Sequence, residues 1–344
     1  MLSKSLRAAI LCALLAPVAF ASDLPTESSQ FDFWIGTWNV NLRILQKEDL
    51  SWRDSVAAEA RIYPVLDGKA ILELWDSKPI KGFSLRYFDS AKDTWVLWLN
   101  WPKANRAGLS SLEGGFRHGR GDFYSTTPQA DGSELVSRFS FNDITPKSLR
   151  WDDAYSKDGG RTWTHNWIME FTRTAAMPSW PAPGQPAHTF ETGGRCDRAE
   201  FRAYEFLAGA RSGRIEVRDE SGGWQASDAS LRGYRILDGC AVVSFLETFR
   251  GDEPHKVFSH MTFNAGKDAI EQGRLTGEPE SGLELYLGGA VQDGLEMVRK
   301  APADVSAVDR KILWLAREDG GVEMRVLVGS DRRGWREVER GLFR

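Results

Sequence analysis

Short runs in which apolar and polar residues alternate dominate the chain, and most end at Gly, Asp, Asn or Pro. A side-chain period of two is typical of a β-strand with one buried face, and helical periodicity never extends beyond a turn or two. The pattern therefore predicts an all-β fold with little helix. The clearest alternating sets are Trp95, Leu97, Leu99 and Trp101; Leu135, Ser137, Phe139 and Phe141; Trp163, His165, Trp167, Met169 and Phe171; Ile312, Trp314 and Ala316; and Met324, Val326 and Val328.

The pattern occurs twice. Residues 31–36 align with 204–209, and the tripeptide Leu-Asp-Gly follows about 30 residues later in both copies, at 66–68 and 237–239. Each copy also carries a polar turn before a late tryptophan. Landmarks in the same order predict a tandem duplication. Many short antiparallel strands in about 150 residues favour a sandwich or a closed barrel for each copy.

A proline-rich stretch separates the copies and has no apolar periodicity, which is typical of an extended linker. The predicted division is a signal peptide at 1–21, a first β-barrel domain at 28–174, a linker at 175–193 and a diverged second β-barrel domain at 194–344.

The first 21 residues have the plan of a cleaved secretory signal. Lys4 and Arg7 precede an apolar stretch, and Ala19 and Ala21 form a small-residue exit before Ser22. We expect an exported protein, most simply a periplasmic one, with no membrane span after cleavage. Cys196 and Cys240 would remain, and in an oxidising compartment they either form a disulfide or stay as buried thiols.

Charge and composition limit the classes of partner expected for this protein. The formal net charge is −4 and there is no block of Lys and Arg, so nucleic acid is not an expected partner. Tryptophan is abundant, with 14 residues, ten of them between Trp34 and Trp167. Large rigid rings either form a core or line an apolar pocket, and both interpretations remain open.

The opening Phe-Asp-Phe-Trp-Ile-Gly-Thr-Trp at 31–38 resembles that of DUF1579-type proteins of the calycin/lipocalin-like superfamily. Gly36 and Trp38 are similar to the Gly-x-Trp signature of lipocalins, in which the tryptophan closes one end of the barrel. The resemblance implies two tandem lipocalin-like antiparallel β-barrels, each with an interior cavity. In the second copy Gly209 is followed by Ala210 and Arg211, so the tryptophan of the signature is missing.

An apolar or aromatic small molecule in the Trp-rich first barrel is the predicted ligand. The residues predicted to line its cavity are Trp98, Phe139, Trp163, His165 and Trp167. His165 also resembles the late-strand haem ligand of nitrobindin-like members of the superfamily, so haem is an alternative at that position. The chain lacks the Gly-x-Trp-x-Gly-x-Gly opening of those proteins, and no cofactor is expected. Neither the other histidines nor the cysteines have metal-ligand spacing.

The sequence from Ser156 to Trp163 matches the Asp-box consensus. A single copy predicts a structural hairpin turn, in which Asp158 binds turn amides, Gly160 supplies an unusual backbone angle and Trp163 packs beneath. Nucleophile and cofactor-binding motifs are absent, so a binding protein is favoured over an enzyme. Two alternatives remain: a lipocalin-like hydratase or isomerase using Glu73, Glu170 or His165, and a module that binds protein partners in the cell envelope.

Overall fold

The computed structural model describes residues 26–77, 81–102, 108–180, 196, 198–299, 309–330 and 334–344. The predicted signal peptide and most of the predicted linker lie outside this range. None of the described helices is both long and apolar enough to cross a membrane.

The first ten strands form a closed antiparallel barrel, because β10 pairs with both β9 and β1. Their bounds are β1 Gly36–Leu45, β2 Trp52–Val65, β3 Ala70–Asp76, β4 Lys81–Asp89, β5 Thr94–Asn100, β6 Ser110–Arg117, β7 Arg120–Pro128, β8 Glu134–Asn142, β9 Ser148–Ser156 and β10 Thr164–Ala175.

The next ten strands form a second closed barrel with the same up-and-down order. Their bounds are β11 Gly209–Arg218, β12 Trp224–Ile236, β13 Ala241–Arg250, β14 Glu253–Asn264, β15 Ala269–Thr276, β16 Glu284–Val291, β17 Gly294–Arg299, β18 Asp309–Ala316, β19 Val322–Ser330 and β20 Gly334–Phe343. The predicted all-β fold of two tandem barrels is confirmed.

A short segment closes one end of each barrel. In the first barrel it is the 3-10 helix Thr26–Trp34, whose Phe31 packs edge-on against Trp95 with ring centroids 4.7 Å apart. In the second it is α1, Ala199–Arg202, and the 3-10 turn Glu205–Leu207.

The Leu-Asp-Gly tripeptide forms the same turn between the second and third strands of each barrel. Asp67 has φ 56° and Asp238 has φ 57°, both left-handed, and each tripeptide ends in a glycine that also has a positive φ. Identical backbone geometry at the same place supports the duplication.

The barrels lie side by side, and one apolar cluster runs through the contact between them. Phe83 on the outer face of β4 stacks on His260 of β14, with ring centroids 4.4 Å apart. Trp180 packs between Tyr63 and Tyr234, at 4.1 and 4.9 Å. Part of the predicted linker therefore belongs to the interface between the barrels.

Candidate functional site

Tryptophan rings fill the lumen of the first barrel at the end away from the Thr26–Trp34 helix. Trp75 lies 5.1 Å from Trp101 and 6.2 Å from Trp167 between ring centroids, and Trp151 lies 5.6 Å from Trp167. The void left beside Phe139 measures about 10 Å³, roughly the space of one water. The ten tryptophans of this half mostly build a packed core.

A buried ion pair completes that core. Glu73 accepts a hydrogen bond from Ser84 at 2.7 Å and one from Arg86 at 3.3 Å, and the Arg86 guanidinium lies 3.6 Å from the centre of the Trp34 ring. Burial raises the pKa of Glu73 and lowers that of Arg86 to about 10. Glu73 is thus held by two partners inside a filled barrel, with no space for a substrate beside it in the described residues.

The residues predicted to line a cavity of the first barrel do not converge on one space. Phe139 and Trp167 point inward and pack against the core. Trp98 lies on the opposite face of β5 from Trp95 and Leu97, where it packs against the cluster shared by both barrels. Since successive side chains alternate between faces, Trp98 cannot line the lumen.

His165 and Trp163 lie on the outside of the first barrel. The pairing of β10 with β9 shifts register between His165 and Trp167, so His165 does not share the inward face of Trp167. His165 Nδ1 is 3.4 Å from a carboxylate oxygen of Asp152, in a shallow groove of about 420 Å³ that also contains Arg138. The Arg138 guanidinium lies 4.3 Å from the Trp163 ring. This surface location does not match the apolar cavity that the haem alternative assumed.

The Asp-box sequence forms the β9–β10 turn. Asp158 accepts hydrogen bonds from the backbone N–H and the hydroxyl of Thr162 at 2.9 and 2.6 Å, and these bonds lower the pKa of Asp158 to about 2. Gly160 has φ +90° and lies against Trp163. The contacts are those of a structural turn.

The Gly-x-Trp pair closes the helix-capped end of the first barrel. Trp38 is fully buried, donates its indole N–H to the Trp34 carbonyl at 2.8 Å, and stacks under Arg173 at 4.0 Å. A side chain on Gly36 would collide with Arg173 and the Ala175 carbonyl. In the second copy Arg211 bonds instead to the Ala208 carbonyl at 3.1 Å.

Cys196 and Cys240 are joined in a disulfide, with Cα atoms 5.1 Å apart. The bond ties the segment that closes the second barrel to the start of β13. Tyr204 of that segment donates its hydroxyl to the Cys240 carbonyl at 2.7 Å, so the same point is fixed twice.

The second barrel holds a cavity of about 870 Å³, which opens at the end away from α1. This volume lies in the range of small-molecule sites. Its lining contains both apolar and charged side chains. We call the apolar part of the lining the apolar wall; it comprises Val217, Ile312, Val326, Val328 and Val338. The charged part, called the charged wall, comprises Arg250, His255, Arg274, Glu284, Arg310 and Glu339, and β18 and β20 contribute to both parts.

Cations exceed anions around this cavity. Five arginines line it, at positions 218, 250, 274, 310 and 336, together with three glutamates, at 278, 284 and 339. The single carboxylate of Glu284 forms ion pairs with two of these arginines, Arg274 at 3.6 Å and Arg310 at 3.5 Å. Burial alone would raise the pKa of Glu284, but the hydrogen bond from Tyr286 and the charges of these arginines outweigh it and lower the pKa.

His255 is buried in the same wall. Its Nδ1 lies 2.8 Å from a carboxylate oxygen of Glu278, and its Nε2 lies 3.3 Å from Arg250. Burial and the charge of Arg250 lower the pKa of His255, with Glu278 opposing them. Within the described ranges, no group of three or more His, Cys, Asp and Glu side chains is placed to hold a metal ion.

The strand registers explain why one barrel is filled and the other hollow. We align the two copies at their Leu-Asp-Gly turns and at their first strands. The strand pairings then match inward positions of the first barrel to positions of the second. The counterparts of the four tryptophans Trp75, Trp101, Trp151 and Trp167 are Leu246, Thr276, Met324 and Glu339. Each replacement is smaller, so the same fold leaves a cavity.

Sequence reasoning missed this cavity because it followed the aromatic residues. The sequence of β15 contained a signal for it, because Ile270, Gln272 and Arg274 are spaced two apart and therefore lie on one face of the strand. Buried arginine on an inward strand face is uncommon, because its charge must be paired or must face a polar space.

No protein-family model matches the chain, and no curated protein matches it either. Among solved structures, a protein of unknown function from the DUF3598 family of Nostoc punctiforme is 10% identical with a TM-score of 0.26, covering 93% of this chain and 98% of that one. Isotype 1 transferrin binding protein B from serogroup B Neisseria meningitidis is 7% identical with a TM-score of 0.20, covering 90% and 76%. Likeness at these TM-scores carries no argument, and the fold assignment rests on the strand pairing.

Proposed function

We propose that this protein binds a small amphipathic organic anion in the cavity of its second barrel. The observation that carries the proposal is a cavity of about 870 Å³ whose lining combines branched aliphatic side chains with five arginines. Small barrels that are not filled by their own side chains hold one small ligand.

The apolar wall suits a hydrocarbon chain or ring. Branched aliphatic side chains from β11, β18, β19 and β20 provide that wall without a hydrogen-bonding group. Burying a methylene group there contributes about 0.8 kcal/mol. A ligand body of several carbons would therefore bind with useful affinity.

The charged wall suits a carboxylate or a related head group. Arg274 is buried and shares its carboxylate partner, Glu284, with Arg310 and Arg299. Arginine presents a fork of donors that matches a carboxylate, and charge-assisted bonds of this kind are strong. The excess positive charge favours an anion over a cation or a neutral ligand.

The first barrel is a poorer candidate than the sequence indicated. Its inward-facing members of the predicted set, Phe139 and Trp167, are core residues beside a void of about 10 Å³. An apolar ligand there would have to displace packed rings. We therefore keep the prediction of a small-molecule binding protein and propose the second barrel as the location of the ligand.

Export and family membership are further parts of the proposal. The Cys196–Cys240 disulfide supports an oxidising compartment, in keeping with the signal-like residues 1–21. The Trp38 and Gly36 contacts support the DUF1579-type resemblance of the first copy.

The direct test is isothermal titration of the full mature chain with decanoate, decanol and decyltrimethylammonium, which share a tail and differ in head-group charge. We expect decanoate to bind most tightly. In Val328→Trp, which places a ring in the cavity, its affinity should fall at least tenfold. Val291→Trp introduces the same ring at an exposed site and should bind as wild type does.

A second pair of variants tests the charge. Arg250→Met should weaken decanoate by about 1.5–3 kcal/mol, the usual contribution of a hydrogen bond to a charged group, and leave decanol unchanged. Arg214→Met removes an exposed arginine outside the cavity and should have little effect. Equal affinity for all three ligands, or binding that Val328→Trp does not alter, would contradict the proposal.

A further inference from the structure

The rim of the second barrel's cavity is held by the first barrel. The loop at 277–283, between β15 and β16, supplies Glu278, Ser281 and Gly282 to the lining of the cavity. Lys69, the residue immediately before β3 in the first barrel, donates to the Glu278 carbonyl, to the Ser281 carbonyl at 2.8 Å and to the Ser281 hydroxyl at 2.5 Å. One side chain thus fixes both ends of a four-residue stretch of the rim.

A second contact holds the end of the same loop. The hydroxyl of Tyr87, on β4, accepts the backbone N–H of Leu283 at 2.9 Å. A side chain on Gly282 would lie 3.5 Å from that hydroxyl, which shows how closely the loop approaches the first barrel. The hydroxyl of Ser281 also lies 2.8 Å from that of Thr276, at the end of β15.

Lys69 is an unusual residue for this place. It is 2% exposed, and burying an ammonium group is costly unless its donors are satisfied. Here the satisfying oxygens belong to the other domain. Burial lowers the pKa of Lys69 to about 8, against the opposing charges of Glu278 and Asp89.

The duplication shows what this position does elsewhere. In the second copy the residue after Leu-Asp-Gly is Cys240, whose disulfide ties down the segment that closes that barrel. The residue at this position therefore fixes a neighbouring segment in each copy. Cys240 does so within the second barrel through a disulfide, and Lys69 does so between the barrels through hydrogen bonds.

The held loop reaches the charged wall directly. The carboxylate of Glu278 bonds to His255, which in turn contacts Arg250, and Arg250 pairs with Glu339 at 3.1 Å. Displacing the loop would move Glu278 away from His255 and change the charge around the cavity. A continuous set of contacts thus leads from the first barrel to the ligand site.

We infer that Lys69 and Tyr87 position the rim loop of the second barrel, so that the packed first barrel acts as the platform that sets the shape of the anion site. The inference rests on the proposed function for the identity of the site. Because coupling between two sites is reciprocal, an anion bound in the second barrel tightens the contact between the barrels.

Hydrogen exchange of the ligand-free full chain tests the positioning role without any ligand. In Lys69→Met and Tyr87→Phe we expect the amides of the 277–283 loop to exchange at least tenfold faster than in wild type. The control Tyr63→Phe removes a hydroxyl bonded to Ser179, which is at the interface and away from the loop. Unchanged loop exchange in both test variants would overturn the inference.

Decanoate titration then tests the link to binding. Both variants should bind decanoate about five- to tenfold more weakly than wild type, within the usual range of coupling between sites. Saturating decanoate should slow exchange at β3 and β4 in wild type and do so less in Lys69→Met. Faster loop exchange with unaltered decanoate affinity would overturn the coupling. A wild-type chain that binds no decanoate contradicts the proposed function, and the positioning role is then judged on loop exchange alone.

Discussion

The two barrels have one fold and opposite interiors. At equivalent inward positions the first barrel carries Trp75 and Trp101 where the second carries Leu246 and Thr276. The first also buries Glu73 and Arg86 where the second has Ser244 and Met261. A few substitutions at equivalent backbone positions thus distinguish a barrel filled by side chains from a barrel with a cavity. Similarity of fold therefore cannot show which copy binds a ligand.

The largest expected effect comes from breaking the buried pair of the first barrel. Arg86→Met leaves the Glu73 carboxylate buried without its cation and should lower the free energy of unfolding by about 3–5 kcal/mol. The double variant Glu73→Ser with Arg86→Met imports the pair found in the second barrel and should recover most of that loss. Urea unfolding followed by tryptophan fluorescence measures both. A single variant that costs under about 1 kcal/mol would show that the Glu73 carboxylate reaches water or takes up a proton, and so is not a buried charge that needs Arg86.

Acid should act at the contact between the barrels. His260 is buried against Phe83 and lies 3.4 Å from Asn100, and burial lowers its pKa to about 3. The unfolded chain binds a proton near pH 6.5 while folded His260 stays neutral. Stability is therefore complete above pH 6.5 and falls as the pH drops towards 3, by up to about 1.4 kcal/mol per pH unit from this group.

His260→Asn should flatten this part of the pH profile in urea unfolding at pH 7, 6, 5 and 4. His118→Asn, at an exposed turn of the first barrel, serves as the control and should keep the wild-type slope. Parallel slopes for wild type and His260→Asn would mean that other groups cause the acid sensitivity.

A smaller effect tests how full the first barrel is. Gly82 faces Trp101, and a Cβ there would lie 2.3 Å from the ring. Gly82→Val introduces the residue found at the equivalent position of the second barrel, Val257, and should cost about 1–3 kcal/mol through overpacking. Gly115→Val, where no atom lies within 4 Å, is the matched control. Equal melting temperatures for the two variants would indicate spare room beside Trp101.

The smallest change exchanges one residue between the interiors. Phe139 and Ile312 occupy equivalent positions, and Ile312 lines the second cavity. We expect Ile312→Phe to weaken decanoate several-fold by narrowing that cavity. Phe139→Ile should leave decanoate affinity within twofold of wild type, as measured by isothermal titration. The reverse ranking would return the ligand to the first barrel.

The sequence predicted the architecture well because periodicity and repetition report directly on backbone structure. Alternation at Trp95, Leu97 and Leu99 places these side chains on one face, and the structure buries that face in the first barrel. The repeated Leu-Asp-Gly likewise marks the same left-handed turn in both copies. The alternation depends on neighbouring residues only, and the repeat is found by comparing two stretches of sequence, so neither signal requires knowing which residues meet in space.

The site was harder to predict because it depends on which face points inward and how full the lumen is. Trp98 and Trp95 count equally towards the tryptophan content, but Trp95 lies in the core of the first barrel and Trp98 packs against the cluster shared by both barrels. The register shift beside His165 places that residue on the outer surface, and the regular alternation in this stretch gave no sign of the shift. Arg274 and Arg310 come together only when the strands β15 to β18 pair in the right register, so their shared carboxylate could not be inferred from spacing.

The most direct test of the difference between the barrels is a crystal structure of the protein soaked with 12-bromododecanoate, with the bromine located from its anomalous signal. We predict one bromine peak in the second barrel, beside the valines of the apolar wall, with the carboxylate near Arg250 and Arg274. A bromine peak among the tryptophans of the first barrel, with the second cavity unoccupied, would contradict the central claim.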